Sequence, residues 1–168
     1  MGDITTITRG IRLVKNQLDE KGKYPVYQNS LIPLGYYNEA NREANSAFVI
    51  SAGAAGEICY SKVAFWAADD CFCFDYNDCI NSRYLYYSLQ KQQALISSQV
   101  RRAGVPRLSR SVLENIIIAL PPIKEQNRIV EILDRFDKLC NDISEGLPAE
   151  IEARQKQYEF YRDKILKF

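Results

Sequence analysis

The chain has 168 residues, of which 46% are apolar, 11% aromatic and 26% charged, enough apolar mass for one compact domain with an appendage and too much for a disordered chain. Its net charge of +1 divides into 13 basic and 11 acidic residues in 1–120 and 9 and 10 in 121–168, which excludes a polycation and makes any nucleic-acid surface a local one. The absence of histidine removes Ser-His and Cys-His nucleophilic pairs, His-based metal sites and a His general base.

Taken in chain order, the polar start Met1-Gly2-Asp3-Ile4-Thr5 lacks the apolar core of a signal peptide. No apolar run approaches the ~18 residues of a membrane span, so a cytoplasmic protein is expected. Ile4–Thr8, Tyr24–Tyr27, Ala47–Ser51, Ile58–Ser61 and Cys71–Phe74 read as strands, and Arg9-Gly10 as a turn. Gly53-Ala54-Ala55-Gly56 reads as a tight turn of small residues rather than a dinucleotide fingerprint. The carboxylates Asp69-Asp70 and Asp75 with Asp78 could hold a metal only by converging, and the second pair, beside Tyr76-Asn77, is more simply turn chemistry.

Asn81 or Ser82 caps a helix on which Tyr84, Leu85, Ser88, Leu89, Gln92 and Ile96 recur at helical spacing. Gly104 and Pro106 make Arg101–Arg107 a loop, Ser109 opens a helical turn, and Ile116–Ala119 is expected to be a last buried strand. The five cysteines Cys59, Cys71, Cys73, Cys79 and Cys140 are an odd set without a paired Cys-x-x-Cys and read as reduced, mostly buried thiols.

Leu120-Pro121-Pro122-Ile123 opens a long helical pattern. It lacks the polar residue and the aromatic of the Asp/Asn-Pro-Pro-Tyr/Phe motif of amino-group DNA methyltransferases, so no catalysis is read there. Ile129, Phe136 and Ile143 occupy one seam position, and Ile132/Leu133 with Leu139/Cys140 the other, giving a coiled-coil stripe. Gly146-Leu147-Pro148 breaks it, after which Ile151, Tyr158 and Ile165 recur every seventh residue beside Tyr161 and Phe168. At 1.5 Å per residue the first segment, 123–144, extends ~33 Å, long for a helix that merely covers a core.

Tyr24-Pro25-Val26-Tyr27-Gln28-Asn29, Gly35-Tyr36-Tyr37, Phe65-Trp66-Ala67, Ser82-Arg83-Tyr84-Leu85-Tyr86-Tyr87, Leu120-Pro121-Pro122-Ile123-Lys124-Glu125-Gln126 and Tyr158–Leu166 together resemble the DNA-specificity subunit of type I restriction-modification enzymes. The resemblance covers essentially the whole chain. It implies an α+β protein: a mixed, largely antiparallel β-sheet target recognition domain over 1–120, then a helical, coiled-coil spacer and dimerisation region over 121–168. Such subunits carry two of these units in tandem, each reading half of a split DNA site, while the spacers dock methylation subunits and through them restriction subunits. This chain resembles one such unit, a half-subunit or a shortened piece. The resemblance also implies that the chain itself is non-catalytic and binds no cofactor, since S-adenosylmethionine, ATP and Mg belong to the partner subunits.

An exposed apolar seam is best buried against its own copy around a two-fold axis, so a homodimer that reads an inverted repeat is expected. Ile129, Leu133, Phe136, Cys140, Ile143, Ile151, Tyr158, Tyr161 and Ile165 would form its helical interface. For double-stranded DNA the leading contact stretch is 81–113, with Arg83, Lys91, Arg101, Arg102, Arg107 and Arg110 and no acidic residue, because arginine pairs with guanine or neutralises phosphate. Gln28, Asn29, Asn41 and Arg42 form a second set, since amides pair with adenine edges. Two other readings stay open: a coiled-coil adaptor that titrates methylation subunits without binding DNA, and a small carboxylate-metal enzyme.

Overall fold

A computed structural model describes residues 1–2, 4–142 and 148–167. The chain divides into two compact units, Met1–Ile118 and Ala119–Phe168.

Among the described residues seven strands build the first unit: β1 (Thr6–Arg9), β2 (Tyr24–Tyr27), β3 (Gly35–Tyr37), β4 (Ser46–Ile50), β5 (Ile58–Ser61), β6 (Trp66–Ala67) and β7 (Cys71–Asp75). They form a four-stranded antiparallel sheet in the order β1-β7-β4-β5 and a three-stranded sheet in the order β3-β2-β6, where β2 and β6 run parallel. Three α-helices follow, α1 (Ser82–Lys91), α2 (Gln93–Ser98) and α3 (Arg110–Glu114).

The central strands explain the layering. Successive side chains of a strand point to opposite faces. In β4, Ala47 and Val49 join one core, with Leu85, Leu89 and Ile96 from the helices. Phe48 and Ile50 join another, with Phe65, Ala67 and, at its margin, Tyr27. β7 repeats the pattern, Phe72 and Phe74 on the helix side and Cys71 and Cys73 on the other. The large sheet is thus buried on both faces between helices and the smaller sheet, which is why β4 and β7 read as unbroken apolar runs. Tyr27, Phe48 and Phe65 fill the second core with ring centroids 4.8 to 5.6 Å apart.

Two expectations are corrected. The helix from Asn81 does not run unbroken to Ile96: it stops at Gln92 and restarts as α2. Ile116–Ala119 is irregular and, among the described residues, pairs in no sheet; Ile116 is buried while Ile117 is 87% exposed, and the Gln92 amide donates to the Ile117 carbonyl at 2.8 Å, replacing a ladder partner. β3 and β6 carry too few residues for a periodic signal and emerge only through pairing with β2.

The second unit is a pair of helices, α4 (Ile123–Asp142) and α5 (Pro148–Ile165). With 20 residues, α4 extends about 30 Å. Pro148 stands at the first position of α5, where its missing N–H costs nothing.

Candidate nucleic-acid interface

Gly53 and Gly56 adopt φ of 79° and 90°, a left-handed turn after β4 that favours glycine. That turn ties together segments that are distant in sequence. The Ala54 amide donates to the Asn29 carbonyl at 2.9 Å, and the Gly53 amide to the Pro106 carbonyl at 3.1 Å. A Cβ on Gly53 would lie 2.7 Å from the Asn29 carbonyl oxygen, so the close approach also requires glycine. Leu108 donates to the Ser51 carbonyl at 2.9 Å, and Arg101 and Arg107 exchange backbone hydrogen bonds of 2.9 and 3.0 Å across the Gly104 turn. The Cys71 thiol donates to the Gln28 carbonyl at 3.3 Å, fixing the start of the first loop. Segments 28–30, 51–54 and 101–108 therefore share one face, joining the heart of the leading basic stretch to Gln28 and Asn29 of the second set.

Arg101, Arg102 and Arg107 are exposed on that face, and a cleft of about 400 Å³ opens beside them, lined by Arg9, Ser51, Gln99, Arg101, Arg107, Leu108 and Ser109. Among the described residues no carboxylate lines it. Arginines on a concave, acid-free surface suit a polyanion.

Other expected contacts are engaged elsewhere. The Arg83 guanidinium lies over the rings of Tyr60, Tyr86 and Tyr87 at 4.5, 4.9 and 4.7 Å and donates to the Tyr87 hydroxyl at 3.0 Å, so it packs α1 onto β5. The Asn41 amide bridges Ala67, donating to its carbonyl at 2.9 Å and accepting from its N–H at 2.8 Å, as a strand would. Arg42 pairs with Asp75 at 2.9 Å and donates to the Thr8 hydroxyl at 2.8 Å. In the unbound chain these three side chains are held by contacts within the fold; an amide or guanidinium in a loop carries the same letters whether it faces solvent or its own backbone. Arg110 pairs with Glu114 at 2.7 Å, and Lys91 is exposed at the end of α1. Arg9, which lines the cleft, is the contribution that sequence reading missed, since β1 lies 92 residues before Arg101.

Among the described residues no group of three or more His, Cys, Asp or Glu could hold a metal ion. Burial pushes the Cys59 thiol up to about 12 and raises Cys71 further, while Cys73 rises to about 11, partly offset by Arg42. All three are core residues rather than nucleophiles.

In the helical unit the seam meets within one chain. The Phe136 ring stacks on Tyr161 at 5.8 Å with 9° between planes, and the Cys140 sulfur lies 4.0 Å from the Arg154 carbonyl oxygen. Ile129, Leu133 and Tyr158 are buried, and Ile165 is half-buried. Ile143 and the side chain of Ile151 lie outside the described residues. Part of the stripe expected to meet a second copy thus has a partner within its own chain, since a helix of the same chain reaches Phe136 at a far higher effective concentration than another molecule can. Leu139 and Phe160 stay exposed at 48% and 61%.

Residues 1–153 match the model of the type I restriction modification DNA specificity domain. The chain is 32% identical over 166 residues to the type I restriction enzyme MpnII specificity subunit of Mycoplasma pneumoniae, covering 96% of this chain and 50% of that protein. It is 46% identical over 88 residues to the type I restriction enzyme EcoR124I/EcoR124II specificity subunit of Escherichia coli, covering 51% and 22%. Two Mycoplasma relatives are spanned over 50% and 69% of their own length. The fold is shared with the crystal structure of the S subunit of a type I restriction-modification system from M. genitalium, at a TM-score of 0.75 and 20% identity over 85% of this chain and 39% of that one.

Proposed function

Because the chain belongs to the type I restriction-modification DNA specificity family, we propose that its first unit reads one half of a bipartite double-stranded DNA target and that its helices dock methylation subunits. The observation that carries this reading is the single face formed by segments 28–30, 51–54 and 101–108, with three exposed arginines in the last. Gln28 and Asn29 there can address adenine edges, and arginine can address guanine or phosphate. The chain supplies binding energy and placement in the cytoplasm. Methyl transfer from S-adenosylmethionine and ATP- and Mg-dependent cleavage are the work of methylation and restriction subunits. Since base methylation requires the target to leave the stack, the recognition face holds the flanks and leaves that base reachable.

The helices present Leu139 and Phe160 to partners. Two chains about a two-fold axis offer two recognition faces, and the ~30 Å of α4 is comparable to one DNA turn of ~34–36 Å, consistent with two half-sites separated by uncontacted base pairs. The experiment is a fluorescence anisotropy titration of the chain assembled with methylation subunits. Arg101→Ala with Arg107→Ala is expected to weaken DNA binding without changing subunit assembly in sedimentation; unchanged affinity rejects the face.

A further inference from the structure

The acid-free cleft separates two roles that the sequence leaves merged. Arg9 reaches it from the end of β1, where its guanidinium also lies 5.7 Å from the Phe72 ring centroid. Arg101 and Arg107 reach it from the two ends of a turn closed by their reciprocal backbone bonds. Three cations therefore line one concavity from two segments that the fold holds fixed, and among the described residues none of them meets a carboxylate. Ser51, a buried residue of the same lining, has a hydroxyl with no hydrogen-bond partner among the described residues. A concavity lined by cations and no carboxylate favours a bound anion.

We propose that this cleft is a phosphate clamp: Arg9, Arg101 and Arg107 hold a backbone phosphodiester of the DNA and set its register, while Arg102 and Gln28, which do not line the cleft, are left for base edges. This assignment rests on the reading of the first unit as DNA-binding and deepens it. A phosphate accepts any well-placed cation, whereas a bidentate guanine contact demands the arginine fork.

The test uses the chain assembled with methylation subunits and two duplexes of equal length, one bearing the motif mapped by methylome sequencing and one scrambled. Arg9→Gln and Arg107→Gln are each expected to lose affinity on the order of ten-fold for both duplexes. The ratio between the duplexes should hold, and the slope of log affinity against log salt should fall by about 1. Arg107→Lys should restore most of the binding. Unchanged binding by Arg107→Gln overturns the clamp. Loss confined to the motif duplex, without rescue by lysine, also overturns it and makes Arg107 a base reader, leaving DNA recognition intact. Wild-type assemblies that bind both duplexes equally defeat the underlying reading instead. Inorganic phosphate titrated at constant ionic strength distinguishes a free anion: displacement of the duplex at equal concentration assigns the cleft to that anion and overturns the proposal.

Discussion

At the scale of single residues, the division between cations spent on the fold and cations offered to solvent decides which substitutions report on function. Arg83, enclosed by Tyr60, Tyr86 and Tyr87, contributes cation–π contacts and a hydrogen bond that hold α1 on β5. Arg83→Ala should lower the unfolding free energy by ~2 kcal/mol, measured by urea denaturation, whereas Arg102→Ala on the exposed loop should leave it unchanged. Equal effects at both positions would contradict this division. The buried thiols give a pH signature. Cys59, at 9.0 as an ordinary thiol, is pushed by burial to about 12, so the folded chain keeps a proton that the unfolded chain releases. The stability this contributes is complete below the unfolded value and is lost as pH climbs toward the folded one. Cys73 and Tyr76, raised by burial to about 11 and about 12, act with the same sign. Urea midpoints should therefore decline above pH ~9; a midpoint that rises over that range would contradict the burial of these groups.

At the scale of elements, the turn at Gly53 is the junction of the candidate recognition face. Gly53→Ala forces a side chain at a φ of 79° into the Asn29 carbonyl. It should displace segments 28–30 and 101–107 from each other and reduce DNA affinity while the helices still bind methylation subunits in pull-down. Retained affinity would mean that the loops act independently. In the second unit, Phe136→Asp places a carboxylate against Tyr161. It should lower helicity measured by circular dichroism, because the hairpin within the chain loses its stack; a change in oligomeric state with helicity intact would instead assign Phe136 to an interface between chains.

The legibility of the elements follows the same physics. Strands β2, β4, β5 and β7 and the cap of α1 were readable because apolar runs and an Asn cap are local signals; the Asn81 side chain accepts from Arg83 and Tyr84 backbone N–H groups. The two-residue β6, the break at Gln92 and the unpaired course of Ile116–Ile118 depend on tertiary partners and leave no period to find. Of the candidate site, Arg101, Arg102 and Arg107 were visible through Gly104 and Pro106. Arg9 was not, nor were the contacts that hold Asn41 and Arg42 within the fold, because their partners Ala67 and Asp75 lie 26 and 33 residues away.

At the scale of the molecule, the chain sets a sheet-built unit of recognition loops before a helical unit with exposed apolar residues, and the account gives each one task. Under the proposed function, base identity falls to residues 1–118 and assembly to residues 119–168. The most direct test exchanges residues 1–118 for the matching unit of a Mycoplasma relative, joins them to the native helices, and maps the methylated motif in cells that carry the methylation subunits. The account predicts that half of the methylated motif changes to the donor's while methylation continues. A motif that stays the same, or one that follows an exchange of the helices instead, would contradict it.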